Sequence, residues 1–80
     1  MITAAQIKAA RALLDWTQEH LADRAIISKS AVARLERGDV DTRTSTLKAV
    51  QEALEAAGIE FLADGGKGIG VRLNLTRRGG

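Results

Sequence analysis

The sequence predicts a mainly α domain: a bundle of four to five short helices followed by a C-terminal β-hairpin. Three observations carry that prediction. From position 3 to about 58, apolar residues recur at three- and four-residue spacing, the period of a helix with one buried face. Thr3, Thr17, Ser28 and Ser45 each stand just ahead of such a run, and Gly38 and Gly58 each stand just behind one, as helix caps do. After Gly58 the period changes to two, which is the strand signal.

Thr3 is placed to cap the first helix, with Gln6 as its capping-box partner. Ile7, Ala10 and Leu14 form that helix's stripe, and Asp15-Trp16 ends it. Trp16 is expected to wedge between the first and second helices. Thr17 opens the second helix, which buries Leu21, Ala22 and Ala25. Ser28 opens a third, from Lys29 to Arg37, and Gly38 closes it. A polar loop, Asp39 to Thr44, leads to Ser45, expected to cap a fourth helix whose buried stripe is Leu47, Val50, Leu54 and Ala57. Ile59 and Phe61 then alternate with Glu60, and Ile69, Val71, Leu73 and Leu75 alternate with Gly70, Arg72, Asn74 and Thr76. Asp64 to Gly68 is the turn between them. The organisation expected is a helical unit over 1–58, a hairpin over 59–76, and a loose basic end over 77–80.

Composition narrows the function. Eighty residues suit one domain with a modest core and leave no room for a deep two-domain cleft. There is no cysteine and a single histidine, His20, so disulfides, thiol catalysis and Cys- or His-rich metal sites are excluded. No cofactor or metal is expected. No apolar run approaches a membrane span, and the N-terminus lacks a signal-peptide pattern, so a cytoplasmic protein is expected. The formal charge is only +2, yet residues 24–45 hold five basic groups against three acids, and 65–80 hold four against none. Local basic zones suit a polyanion met by one face.

The third helix sharpens this. On a helical wheel Ala31, Val32 and Leu35 share the inner side. Lys29, Ser30, Ala33 and Arg37 point the other way, with Arg34 at the border. A major groove asks for long donors toward guanine edges and phosphates, and for small side chains where the backbone comes close. Lys29 and Arg34 supply donors, while Ser30 and Ala33 leave room, Ala33 also matching a thymine methyl. The helix N-terminus opened by Ser28 offers free N–H groups to a phosphate. A solvated basic face explains this stretch equally well on its own. The preceding helix tips the balance, because a helix to Ala25, the turn Ile26-Ile27-Ser28 and a helix to Arg37 have helix-turn-helix lengths.

The segments IKAARALLDWTQEHLADRA, ISKSAVARLERG and STLKAVQEAL, in that order and spacing, resemble the phage-repressor and Cro family of helix-turn-helix proteins, the XRE type, over residues 7–57. The resemblance implies a lambda-repressor-like bundle that binds double-stranded operator DNA as a homodimer and most commonly represses transcription. It places Ser28, Lys29, Ser30 and Arg34 on the recognition positions; with Ala33 from the wheel, Lys29, Ser30 and Arg34 are the expected base contacts. It places Arg11, Gln18, Arg37, Thr42, Arg43 and Thr44 at backbone phosphates, which Ser28 joins through its helix N-terminus, while Gln18 is also readable as an aid to the Thr17 cap. Arg11 and Glu36 match a helix-1 arginine paired with a helix-3 glutamate, a pair that is equally readable as purely structural. The sequence departs from the family at Ile26, where glycine is common because the position takes positive φ. A β-branched residue there either accepts the strain through good packing or marks a different helix end.

Other signals are weaker. Gly65 to Gly70 looks like a phosphate loop but leads into a strand pattern rather than a helix. His20 reads as an exposed helix residue, and Glu36, Asp39 and Asp41 read as loop and cap acids, so no enzyme is expected. In the tail, Phe61, Ile69, Val71, Leu73 and Leu75 are the expected dimer interface, with the long apolar edge pairing with its two-fold mate. The competing expectation is a hairpin folded onto its own fourth helix with Phe61 in the core. A toxin-like protein partner, as for an antitoxin that autoregulates its operon, is the alternative function.

Overall fold

Each of four helices begins where its N-terminal N–H groups find an acceptor and ends where the chain turns left-handed or flattens. The computed structural model describes residues 2–39, 43–63 and 68–75. Its elements are α1 (Ala4–Leu14), α2 (Gln18–Ala25), α3 (Lys29–Arg37), α4 (Thr44–Ala56), β1 (Ile59–Ala63) and β2 (Ile69–Leu73).

Thr3 forms the expected capping box: its hydroxyl accepts from the Gln6 N–H, and Gln6 Oε1 accepts from the Thr3 N–H at 2.9 Å. Thr17 and Ser28 cap α2 and α3 by accepting from the N–H groups of His20 and Ala31. Ser45 does not cap α4. That helix starts two residues sooner, at Thr44, with Arg43 at the N-cap and no side-chain cap bond. The Arg43 carbonyl already accepts from the N–H groups of Thr46 and Leu47, so Ser45 falls inside the first turn, where its hydroxyl is too late to cap.

Three helices end in one way. Asp15, Ile26 and Gly38 each adopt the left-handed conformation, and the next residue's N–H reaches back to a carbonyl five residues earlier: Trp16 to Arg11, Ile27 to Ala22, Asp39 to Arg34. This is the Schellman pattern, normally accompanied by an apolar contact from the residue after the left-handed one. Trp16 and Ile27 supply that contact, both being half-buried against the core. The expectation at Ile26 is thus resolved in part and corrected in part. Helix 2 does end at positive φ (58°), but Ile26 gains no packing, for its side chain is 90% exposed.

The core gathers Ile7 and Ala10 of α1, Leu21, Ala22 and Ala25 of α2, Val32 and Leu35 of α3, and Val50 and Leu54 of α4, closed by Ile2 and Ile59. Ala31, expected inside, is only half-buried. The strands pair antiparallel with Ile59 opposite Leu73 and Phe61 opposite Val71. The hairpin folds back on its own chain, β2 against α1 and β1 against α4, with Phe61, Val71 and Leu73 packed on the core. Gln6 fastens it. Its side chain is buried, and Nε2 donates to the carbonyls of Leu62 (3.2 Å) and Gly70 (2.9 Å), residues opposite each other in the ladder.

Candidate nucleic-acid interface

α3 is the most strongly amphipathic helix of the four, and its polar side is the side the bundle leaves open. Val32, Leu35 and Glu36 are buried. Lys29, Ser30, Arg34 and Arg37 are exposed, and Ala33 is half-buried between them. Four of the sequence-predicted contact residues, Lys29, Ser30, Arg34 and Arg37, therefore share one solvent-facing surface, with Ser28 exposed at its head. Arg37 has one exposed partner, Asp39, at 3.3 Å. Such a pair contributes little in water and is readily exchanged for another anion.

What fixes α3 against the two preceding helices is a buried carboxylate. Arg11 grips Glu36 with two bonds, Nε to Oε2 at 2.7 Å and Nη2 to Oε1 at 2.9 Å. Gln18 Nε2 donates to Glu36 Oε1 at 3.0 Å. Arg11 Nη1 also donates to the Trp16 carbonyl at 2.9 Å, in the corner between α1 and α2. The Glu36 side chain is 3% exposed and that of Arg11 23%. Burial by itself would raise the Glu36 pKa. The hydrogen bonds from Arg11 and Gln18, with the charges of Arg11 and Lys8, outweigh it and hold the carboxyl below the usual carboxylate range. The same hydrogen bond raises the Arg11 pKa above the arginine norm, despite partial desolvation.

These bonds use three of the five guanidinium N–H groups. The other two, one on each terminal nitrogen, point from a side chain that still touches solvent. Arg11 and Gln18, both expected at phosphates, are therefore brought together and oriented by one acid rather than set independently. The Arg11–Glu36 pairing is as the sequence suggested; the inclusion of Gln18 was not anticipated. Nothing in the spacing of 18 and 36 marks it, because the contact is made only by packing α2 on α3.

Arg43 and Thr44 lie at the exposed start of α4. Thr42 lies outside the described residues. Trp16, expected to wedge between α1 and α2, lies half-buried against the core, and the His20 ring stacks on it at 4.5 Å with 18° between planes. The Arg24 guanidinium stands 5.3 Å from the Trp16 ring centre. The three sit four residues apart, so a helical spacing of 16, 20 and 24 could have revealed that stack. Of the expected dimer residues, Phe61, Val71 and Leu73 are engaged within the chain, while Ile69 and Leu75 are exposed.

No helix among the described residues is long and apolar enough to cross a membrane. A family model described as helix-turn-helix matches residues 7–61, from within α1 through α4 to the start of β1. No curated protein matches the chain.

Proposed function

The chain belongs to the XRE-type helix-turn-helix family of DNA-binding regulators, and from that premise we propose that it is a cytoplasmic, sequence-specific repressor binding a two-fold-related operator as a homodimer. The observation that carries the reading is the open face of α3. Its outward residues are three long donors, a hydroxyl and a small methyl, backed by the buried Arg11–Glu36–Gln18 network that holds the helix against α1 and α2.

In this reading the N-terminal half of α3 enters the major groove. Arg34 and Lys29 reach purine edges, while Ser30 and Ala33 allow close approach. Arg11, Gln18, Ser28, Arg37, Arg43 and Thr44, together with Thr42, hold phosphates and so set register rather than sequence preference. Two copies set their recognition helices about 34 Å apart, one turn of DNA. Bound over a promoter, the dimer excludes polymerase.

Exposed Ile69 and Leu75 on the hairpin favour a second reading, in which that surface binds a toxin-like protein and DNA binding serves autoregulation. Fluorescence anisotropy on duplexes selected from a random pool, beside a scrambled duplex and over a salt series, tests the first reading. Expected is sequence-dependent binding with a steep salt slope. Equal and weak binding to both duplexes would overturn it and favour the protein partner.

A further inference from the structure

Ile26 stands out from every other described residue. It is the one β-branched side chain held at positive φ (58°, ψ 50°) among them. The two comparable helix ends use Asp15 and Gly38, residue types that tolerate the left-handed region far better. Strain of this kind persists in folded proteins when packing repays it or when the site is used. Packing does not repay it here, since Ile26 is 90% exposed, the most exposed large apolar side chain described. Its neighbour Ile27 makes the buried contact that the turn needs, so fold stability has no use for a second isoleucine.

The position supplies the use. Ile26 lies two residues before Ser28, the cap that opens α3, and beyond the half-buried Ile27 the chain exposes Ser28, Lys29 and Ser30. We infer that Ile26 is a specificity residue: it makes an apolar contact with a thymine C5-methyl at the edge of the base pairs met by Lys29 and Ser30. An aliphatic side chain carries no donor and gains nothing from a phosphate. The thymine methyl is the apolar feature the major groove presents. At the left-handed C-cap of α2, the exposed side chain stands where the chain leads into α3, two residues ahead of the Ser28 cap. This rests on the DNA-binding reading above.

The test takes a duplex selected by the wild-type protein and replaces each thymine in turn with deoxyuridine, which deletes one methyl and leaves pairing intact. The wild type is expected to lose about fourfold in affinity at one flanking thymine per half-site, the worth of one buried methyl group. Ile26→Asn keeps the left-handed turn, and it should bind the parent duplex about 16-fold more weakly, one methyl contact being lost in each half-site, and no longer sense that substitution. Ile26→Gly serves as the second variant, and both should melt no lower than wild type. Unchanged affinity in the variants, or deoxyuridine sensitivity that survives in them, overturns the inference and leaves Ile26 to a protein partner. Failure of the wild type to select any sequence would sink the DNA-binding reading itself, a result visible before any variant is made.

Discussion

Arg11 and Glu36, 25 residues apart in sequence, are joined by two hydrogen bonds of 2.7 and 2.9 Å that pin the recognition helix to the first helix. The carboxylate has almost no contact with solvent, so its charge depends on its donors. Removing one partner of such a pair leaves the other charge buried, which costs more than the pair contributes. Arg11→Ala should therefore destabilise the domain by about 3 kcal/mol, read from urea unfolding. Arg11→Met with Glu36→Leu should recover much of that loss. If Arg11→Ala unfolds at the wild-type midpoint, the pair is not the clasp the geometry indicates. The double variant also separates folding from DNA binding: stability regained without affinity means that Arg11, or Gln18 released from Glu36, contacts the duplex.

The same carboxylate gives the domain an acid limb. Burial opposes the charge of Glu36, but the bonds from Arg11 and Gln18 prevail and its folded pKa lies below the ordinary value. A lowered folded pKa means stability that is fully present above the unfolded glutamate value of about 4.3 and lost as pH falls through the folded value. Thermal unfolding followed between neutral pH and about pH 3 should show Tm falling below the unfolded glutamate value. Glu36→Gln should start lower and fall less steeply. Parallel curves for the two proteins would assign the acid limb to other carboxylates.

Gln6 shows a second kind of coupling. One side chain completes the α1 capping box through Oε1 and holds both strands through Nε2. Gln6→Glu preserves the acceptor for Thr3 but points an acceptor at two carbonyl oxygens. It should destabilise by about 2 kcal/mol, the range for a buried polar group left without its partner. Hydrogen exchange should then show the amides of β1 and β2 losing protection while those of α1 keep it. Equal loss in both elements would mean that α1 and the hairpin open as one unit, and no loss in either would mean that Gln6 matters only as a cap.

On DNA the outward residues of α3 should separate by role. Arg37→Ala, at a phosphate, should weaken binding about equally on all duplexes and lower the salt slope. Arg34→Ala should cost about 1–3 kcal/mol on the preferred duplex and relax discrimination at one base pair. Anisotropy on preferred and mutated duplexes over a salt series distinguishes them. An Arg34→Ala protein with full discrimination would remove Arg34 from the base-reading set.

The helices were legible in the sequence because their signals are local. Thr3, Thr17 and Ser28 cap within three residues, and Gly38 closes α3 where its φ demands. Ser45 misled because a hydroxyl two residues too far along looks like a cap on paper. Arg11–Glu36 was reachable only through family resemblance, and Gln18–Glu36 and Gln6–Gly70 not at all. Each depends on how elements distant in sequence pack, and Gln6 was already explained by its cap. At Ile26 the sequence raised the right question, but exposure is a property of the folded chain.

The hairpin changes the form a dimer can take. Phe61, Val71 and Leu73 lie half-buried against the core of their own chain, so we propose that a dimer formed by the hairpin uses the strand edge. Asn74 N–H donates to the Gly58 carbonyl at 2.8 Å. With the observed register, residues 70, 72 and 74 then bond to β1, and Ile69, Val71 and Leu73 turn their N–H and C=O groups to the outer edge. Antiparallel self-pairing centred on Val71 would set Arg72 against the small Gly70 of the other copy and Ile69 against Leu73, avoiding like charges opposite each other. Ile69 is exposed on this edge, so Ile69→Lys adds a charge without disturbing the core, the device by which edge strands are kept unpaired. Sedimentation equilibrium should find the wild type dimeric at micromolar concentration and Ile69→Lys monomeric, with nearly equal Tm at low concentration. A variant that remains dimeric would move the interface off β2, to a surface that leaves this strand edge open.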